Sequence, residues 1–161
     1  MLRSNRLPHP APMLGPGRGR AVEALGLQTD ENYSQRTALL QVLRIALALH
    51  VLAVLAQAAL AGQFLSGLES PVVFHERTAW FILALSFAQV IAAVLFARLG
   101  GPLWLLVASA FILIAEALQT GTGYGRFLGV HIPLGVFVFG AVVWMMIWAF
   151  TGRASGGKRP A

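Results

Sequence analysis

The chain has no cysteine and carries little charge, and both absences narrow its chemistry. Without cysteine there are no disulfides, no thiolate chemistry, no Cys-ligated zinc and no iron–sulfur cluster. Only 11% of the 161 residues are charged and 57% are apolar, which is far too apolar for an ordinary soluble domain. A phosphate loop, a nucleotide fingerprint, a nucleophile elbow and an HExxH zinc motif are also missing. The sequence therefore favours a protein that is not an enzyme.

What the chain does have is four apolar blocks, each close to the length of about 20 residues that crosses a bilayer core. They cover residues 39–62, 78–97, 102–118 and 130–150. The blocks are continuously apolar rather than alternating, which favours helices over barrel strands. Short connections between them favour antiparallel neighbours. We predict an all-α integral membrane protein, with an up-down bundle of four transmembrane helices in residues 37–151.

The basic residues flank the blocks and predict an orientation. Residues 1–36, rich in Pro, Gly and Arg, are expected to form a disordered basic tail, and residues 152–161 form a second basic tail. Nine Lys and Arg residues lie in these tails and in the 98–101 connection, against two in the other connections. The positive-inside rule then places both ends in the cytoplasm. The net charge of +6 comes from basic residues that flank the membrane spans. The expected partner is therefore the lipid bilayer, and no nucleic-acid binding is expected.

The two halves of the chain resemble each other. Residues 56–62 read AQAALAG and residues 115–121 read AEALQTG, so Ala, a polar residue, Ala and Gly match in register. Each segment leads through a Gly-containing connection to a histidine, His75 or His131, and then to the next apolar block. This pattern predicts a helix–loop–His–helix repeat with both copies in the same orientation.

Several polar side chains lie inside the blocks, where an ionisable group is costly and usually faces the bundle interior. They are His50, Gln57, Gln89, Glu116 and Gln119. One interpretation is a buried hydrogen-bond network that fixes helix register. For Glu116 the sequence also leaves open pairing with a histidine or arginine, or proton carriage.

His75 lies just before the second block and His131 at the start of the fourth, so the two are expected at equal height near the outer face. In an up-down bundle these helices are diagonal partners, roughly 11–14 Å apart, a gap that suits a haem b held between two imidazoles. Arg77 and Arg126 lie close by and are candidates for pairing with haem propionates. Four aromatic residues are candidates for the walls of the site: Phe74, Trp80, Tyr124 and Phe127.

Two other interpretations of the histidines stay open. Histidines are common at membrane interfaces, where a polar tip meets water, so the pair needs no cofactor. A zinc site would need a third ligand, for which Glu76 or Glu69 is available.

The layout is similar to one four-helix half of haem A synthase, over residues 40–150. The likeness lies in HERTAW at the second block and the histidine of HIPLG at the fourth. The chain also resembles a family of small four-helix bacterial integral membrane proteins of unassigned function, through AQAALAG and the HxxxG-like starts of blocks two and four. The first resemblance implies a haem-binding histidine pair, and the second implies the fold and a bacterial plasma membrane. A second four-helix unit is missing, so synthase activity is not implied.

Three functions are therefore expected, in this order. The first is haem binding for electron transfer or haem handling. The second is a non-catalytic membrane subunit that packs against a membrane-protein partner or a second copy. The third is a small proton-linked transporter, which rests on Glu116 and His50 alone.

Overall fold

The computed structural model describes residues 16–68 and 70–151, and these ranges contain four helices and no strand. The helices are α1 (Pro16–Leu65), α2 (Pro71–Arg98), α3 (Leu103–Tyr124) and α4 (Leu128–Phe150). Each is long and apolar enough to cross a membrane. The all-α class and the four helices of membrane-spanning length expected from the sequence are thus found in the described residues.

Helix α1 begins earlier than the sequence suggested. Residues 16–36, expected in a disordered tail, are helical. This stretch contains several Ala, Leu, Glu and Gln residues, which are good helix formers. Extending an existing helix also costs much less than nucleating a new one. Contacts divide the chain into two units, Met1–Ser34 and Gln35–Ala161, and every contact between helices described below lies in the second. Residues 1–15 and 152–161 of the two expected tails lie outside the described ranges.

Helix α2 also begins earlier than its apolar block, and this changes the setting of His75. Pro71 lies in the first turn of α2, where its fixed φ suits a helix and its missing N–H costs no hydrogen bond. His75 is the fifth residue of α2, and His131 is the fourth residue of α4. Both histidines therefore lie within the first turns of helices rather than in the connections before them.

The turn between α2 and α3 is a glycine-dependent helix ending. Gly100 has φ of +78°, and its N–H donates to the carbonyl of Ala97 while that of Gly101 donates to Phe96. This pair of bonds is the Schellman motif, which ends a helix with a left-handed residue. Pro102 follows in an extended conformation, one residue before α3 begins. The chain reverses within four residues as a result.

The side chains between the helices fall into layers along the bundle. One end holds an apolar core to which all four helices contribute, and the opposite end holds the two histidines. Fully buried core residues include Leu43, Leu47, Phe96, Leu105, Val142 and Met145. Between the core and the histidines lies a layer of buried polar side chains on α1, α2 and α3. The functional candidates are thus separated from the apolar end by this polar layer.

A substitution in the α2–α3 turn tests this account. Gly100→Ala is expected to lower the free energy of unfolding by about 1 kcal/mol, because alanine is strained at positive φ. Gly140→Ala is the control, since a Cβ at that helical position meets nothing within 4 Å, and it is expected to leave stability unchanged or slightly raised. Both are measured by SDS-driven unfolding in detergent, followed by tryptophan fluorescence. Equal effects of the two changes would contradict the motif.

Candidate functional site

The buried polar layer is built around His50, which joins three helices. Its Nδ1–H donates to Oε1 of Gln89 on α2 at 3.1 Å, and its Nε2 contacts Oε1 of Glu116 on α3. The second carboxyl oxygen of Glu116 accepts from the hydroxyl of Ser86. Gln89 in turn donates to Ser109 at 3.3 Å. Every member of this network is at most 4% exposed, so the contacts replace water completely.

The contact between His50 and Glu116 pairs two ionisable side chains inside the bundle. Each gives the other a hydrogen-bond partner, which avoids the large cost of an unpaired charge in a low-dielectric interior. The network can therefore be stable between apolar helices, and its hydrogen bonds join α1 to α2 and α3.

The two histidines near the other end of the bundle share one pattern of anchoring. Nδ1–H of His75 donates to the backbone carbonyl of Gln57 on α1 at 3.2 Å, and Nδ1–H of His131 donates to the backbone carbonyl of Gln119 on α3 at 2.7 Å. In each case the histidine donates to a backbone carbonyl of the helix that precedes its own helix in the chain. A backbone carbonyl at Nδ1 fixes the tautomer and leaves the lone pair on Nε2. Both imidazoles therefore have the protonation pattern of metal ligands.

The rings of His75 and His131 are neighbours. Their centroids are 6.1 Å apart and their planes are inclined by 57°. The close approach of His131 to α3 depends on Gly123, because a Cβ at that position would lie 2.9 Å from Cε1 of the ring. An alanine there would push the ring away from its anchor. The two side chains that the sequence singled out are thus brought together.

Two cavities adjoin the histidine pair. The larger has a volume of 560 Å³ and touches all four helices; its wall includes Ala61, His75, Gly123 and Arg126. The smaller has a volume of 370 Å³ and lies between α1 and α4, with Ala58 and Gly135 in its wall. His75, His131, Gln57 and Gln119 line both cavities. These volumes are in the range of pockets that bind small molecules and cofactors.

Gln57 has an unusual role in this wall. Its backbone carbonyl anchors His75, but the Oε1 atom of its side chain is buried and has no hydrogen-bond partner. The residue is only 9% exposed. A buried acceptor without a donor is costly and uncommon in folded proteins, so this atom marks a place where a donor is missing.

The two arginines expected beside the histidines are placed differently. Arg126 lines the larger cavity and has φ of +56°, a left-handed conformation that is uncommon for a residue other than glycine. Arg77 is exposed and is not part of the wall. Glu76 lines the cavity instead and accepts a 2.7 Å hydrogen bond from Tyr124, whose hydroxyl accepts one from Trp80. Only one of the two expected cations therefore faces the site.

The aromatic wall and the zinc interpretation also differ from the structure. Of the four aromatic candidates, only Tyr124 lines a cavity; Phe74, Trp80 and Phe127 are exposed. Across residues 16–68 and 70–151, no three His, Asp or Glu side chains come together in a group that could hold a metal ion. A zinc site that uses Glu76 as its third ligand is thus not formed, and Glu69 lies outside the described residues.

Sequence reasoning missed three residues that shape the site. Ser109 completes the buried network, and its spacing of seven from Glu116, which places both on one helix face, was the available signal. Ala61 and Gly123 shape the cavity by being small, and no sequence pattern distinguishes them from other small residues in apolar helices. The predicted repeat also matched Gln57 with Glu116, whereas the hydrogen bonds make Gln119 its counterpart.

Comparison of the chain with protein-family models, with curated proteins and with solved structures finds no match. The resemblances seen in the sequence therefore rest on the quoted motifs alone.

The buried network predicts a difference between two substitutions of one residue. Glu116→Leu leaves His50 and Ser86 without their partner and is expected to lower the free energy of unfolding by about 3 kcal/mol. Glu116→Gln keeps hydrogen-bonding atoms in both places and is expected to cost about 1 kcal/mol. SDS-driven unfolding in detergent measures both. The double variant His50→Leu/Glu116→Leu should regain part of the loss, because the buried imidazole that lost the carboxyl group is also removed; equal costs for Leu and Gln would contradict the network.

Proposed function

We propose that the protein is an up-down four-helix protein of a bacterial plasma membrane with both ends in the cytoplasm. The distribution of Lys and Arg supports this orientation. Contacts support the alternation of helix direction: Arg44 on α1 donates to the carbonyl of Ala149 at the end of α4 at 2.8 Å. Arg36 lies over the ring of Phe96 near the end of α2. The cytoplasmic ends of three helices would thus lie at one level, with His75 and His131 at the outer end.

Within this frame, we propose that the protein binds haem b between His75 and His131. The observation that carries the proposal is the pair of imidazoles with their Nδ1 atoms fixed on backbone carbonyls and their ring centroids 6.1 Å apart. Metal–nitrogen bonds of about 2 Å on both sides of an ion give a similar separation between two imidazole rings. Neutral histidine is the usual ligand of b-type haem iron.

The other residues of the site fit such a group. The cavity beside the pair has mostly apolar walls, including Ala61 and Ile132, which suit a flat apolar ring. Arg126 lies in the wall and can pair with a carboxylate. The first turns of α2 and α4 carry the histidines, and helix N-termini favour anionic groups. The donor set and its surroundings therefore match haem rather than a hydrated ion.

The chemistry that haem supplies when bound is one-electron transfer. The residues of this chain would hold and tune it: His75 and His131 bind the iron, and the carbonyls of Gln57 and Gln119 orient the imidazoles and raise their basicity. Apolar walls keep water from the ring. The proposed role is accordingly electron transfer or haem handling at the outer side of the membrane.

One observation favours a second candidate, a membrane subunit without a cofactor. The side-chain amide of Gln119 reaches Nε2 of His131 at 3.4 Å, so both nitrogens of this histidine have partners without a metal. The histidine pair would then join helices, and the protein would act by packing against a membrane-protein partner or a second copy. Consistent recovery of one such partner from native membranes, together with no haem spectrum, would favour this candidate.

The optical spectrum tests haem binding. Purified in mild detergent after expression with added haem, the protein is expected to show the Soret band of a b-type haem. His75→Ala and His131→Ala should abolish or shift the band, because each removes an imidazole that would hold the iron. Gln63→Ala is the control, since Gln63 is exposed on α1 and lines neither cavity, and it should keep the band. No Soret band in the wild-type protein would overturn the proposal.

The two arginines give a second test. Arg126→Asn is expected to speed the transfer of haem to a scavenging apoprotein by about fivefold, because the wall loses its cation. Asn is chosen since it tolerates the left-handed conformation of this position. Arg77→Asn, outside the wall, should leave the rate unchanged. Equal rates for the two variants would remove Arg126 from the site.

A further inference from the structure

The smaller cavity carries a feature that haem binding does not explain. Its wall is apolar except for four residues, Gln57, His75, Gln119 and His131, and Oε1 of Gln57 is buried without a hydrogen-bond partner. Gln57 is 91% buried, being 9% exposed. Because the rest of the wall is largely apolar, a ligand that donates a hydrogen bond to this oxygen is expected to be apolar elsewhere.

The cavity is reached from the lipid side of the helices. Leu55 on α1 and Val136 on α4 belong to its wall and are 53% and 68% exposed. Between them the wall is formed by small residues, including Ala58, Gly62 and Gly135. Small residues on two facing helices leave a gap that a flat group can enter sideways from the bilayer.

The depth of Gln57 restricts the donor. Gln57 precedes the end of α1 at Leu65 by eight residues, which is about 12 Å along a helix. The donors of phospholipids lie in the head groups at the membrane surface and do not reach this depth. A hydroxyl group on a flat ring with an apolar tail does, and the ring would lie between the small residues, against Phe139.

We propose that the cavity between α1 and α4 binds the ring of a membrane-soluble hydroquinone, whose hydroxyl group donates a hydrogen bond to Oε1 of Gln57. The ring would then lie next to the histidine pair, because His75 and His131 line the same cavity. The inference deepens the proposed electron-transfer function by naming the class of redox partner. The binding itself needs no haem, so the two proposals can fail separately.

The test compares a hydroquinone, which can donate a hydrogen bond, with its methylated form, which cannot. Tritiated decylubiquinol and its dimethyl ether, which has no hydroxyl hydrogen, are equilibrated with the full chain in nanodiscs, and empty nanodiscs give the background. The wild-type protein is expected to bind the hydroquinone about tenfold more tightly than the ether. Gln57→Leu, which keeps the volume of the side chain but not its acceptor, should bind both ligands equally.

The controls separate the acceptor from packing and from haem. Gln63→Leu makes the same change on an exposed position of α1 outside the cavity and should keep the preference. Ala58→Phe should abolish binding of both ligands by filling the gap, with circular dichroism to check folding. Wild-type protein prepared without haem should keep the preference, because the hydrogen bond to Oε1 of Gln57 needs no iron. A wild-type protein that binds both ligands equally, or a Gln57→Leu variant that keeps the preference, would overturn the inference. If such a protein still shows a haem spectrum, the hydroquinone inference fails and the haem proposal stands.

Discussion

The contact between His50 and Glu116 is the interaction on which the arrangement of the helices depends. A hydrocarbon environment offers no water, so a polar side chain there must find its partner inside the protein. His50 uses both ring nitrogens to join α1 to α2 and α3. A shift of α1 by one turn would take His50 away from both Gln89 and Glu116 at once, so the network fixes the register of α1 against its neighbours.

That register decides the geometry of the outer site. With His50 fixed, the carbonyl of Gln57 lies two turns further along α1, where it meets Nδ1 of His75. In the other half, α3 brings the carbonyl of Gln119 to His131 in the same way. The two halves reach this likeness with different spacing, 18 residues from Gln57 to His75 and 12 from Gln119 to His131. The bonds from histidine to carbonyl, rather than the matching letters, define the repeat.

The sequence predicted the features that depend on long apolar runs and on single ionisable residues. The four helices follow from block length, and the grouping of His50 with Gln89 follows from their depth. It did not predict features that depend on neighbouring helices. Helix α1 continues toward Pro16 because helix extension is cheap, although residues 16–36 looked like a tail. Arg77 and Arg126 looked equivalent in the sequence. Only Arg126 lines the cavity, because the rotation of each helix or turn decides which way a side chain faces. The small residues of the wall carry no signal of their own.

The position of the apolar core determines how much of the membrane voltage acts on a charge that reaches the histidines. Leu43, Leu47, Phe96 and Val142 fill the space on the side of the polar layer away from the histidines, and each is at most 1% exposed. In the proposed orientation, these residues separate the polar layer from the cytoplasm. An electron or proton that enters and leaves the cavity from the outer side then does not cross the apolar core, so it crosses only part of the membrane field, whose full value is about 2.3 kcal/mol per charge at 100 mV. Charge exchange at the histidine pair would depend less on the membrane voltage than transfer across the whole bilayer.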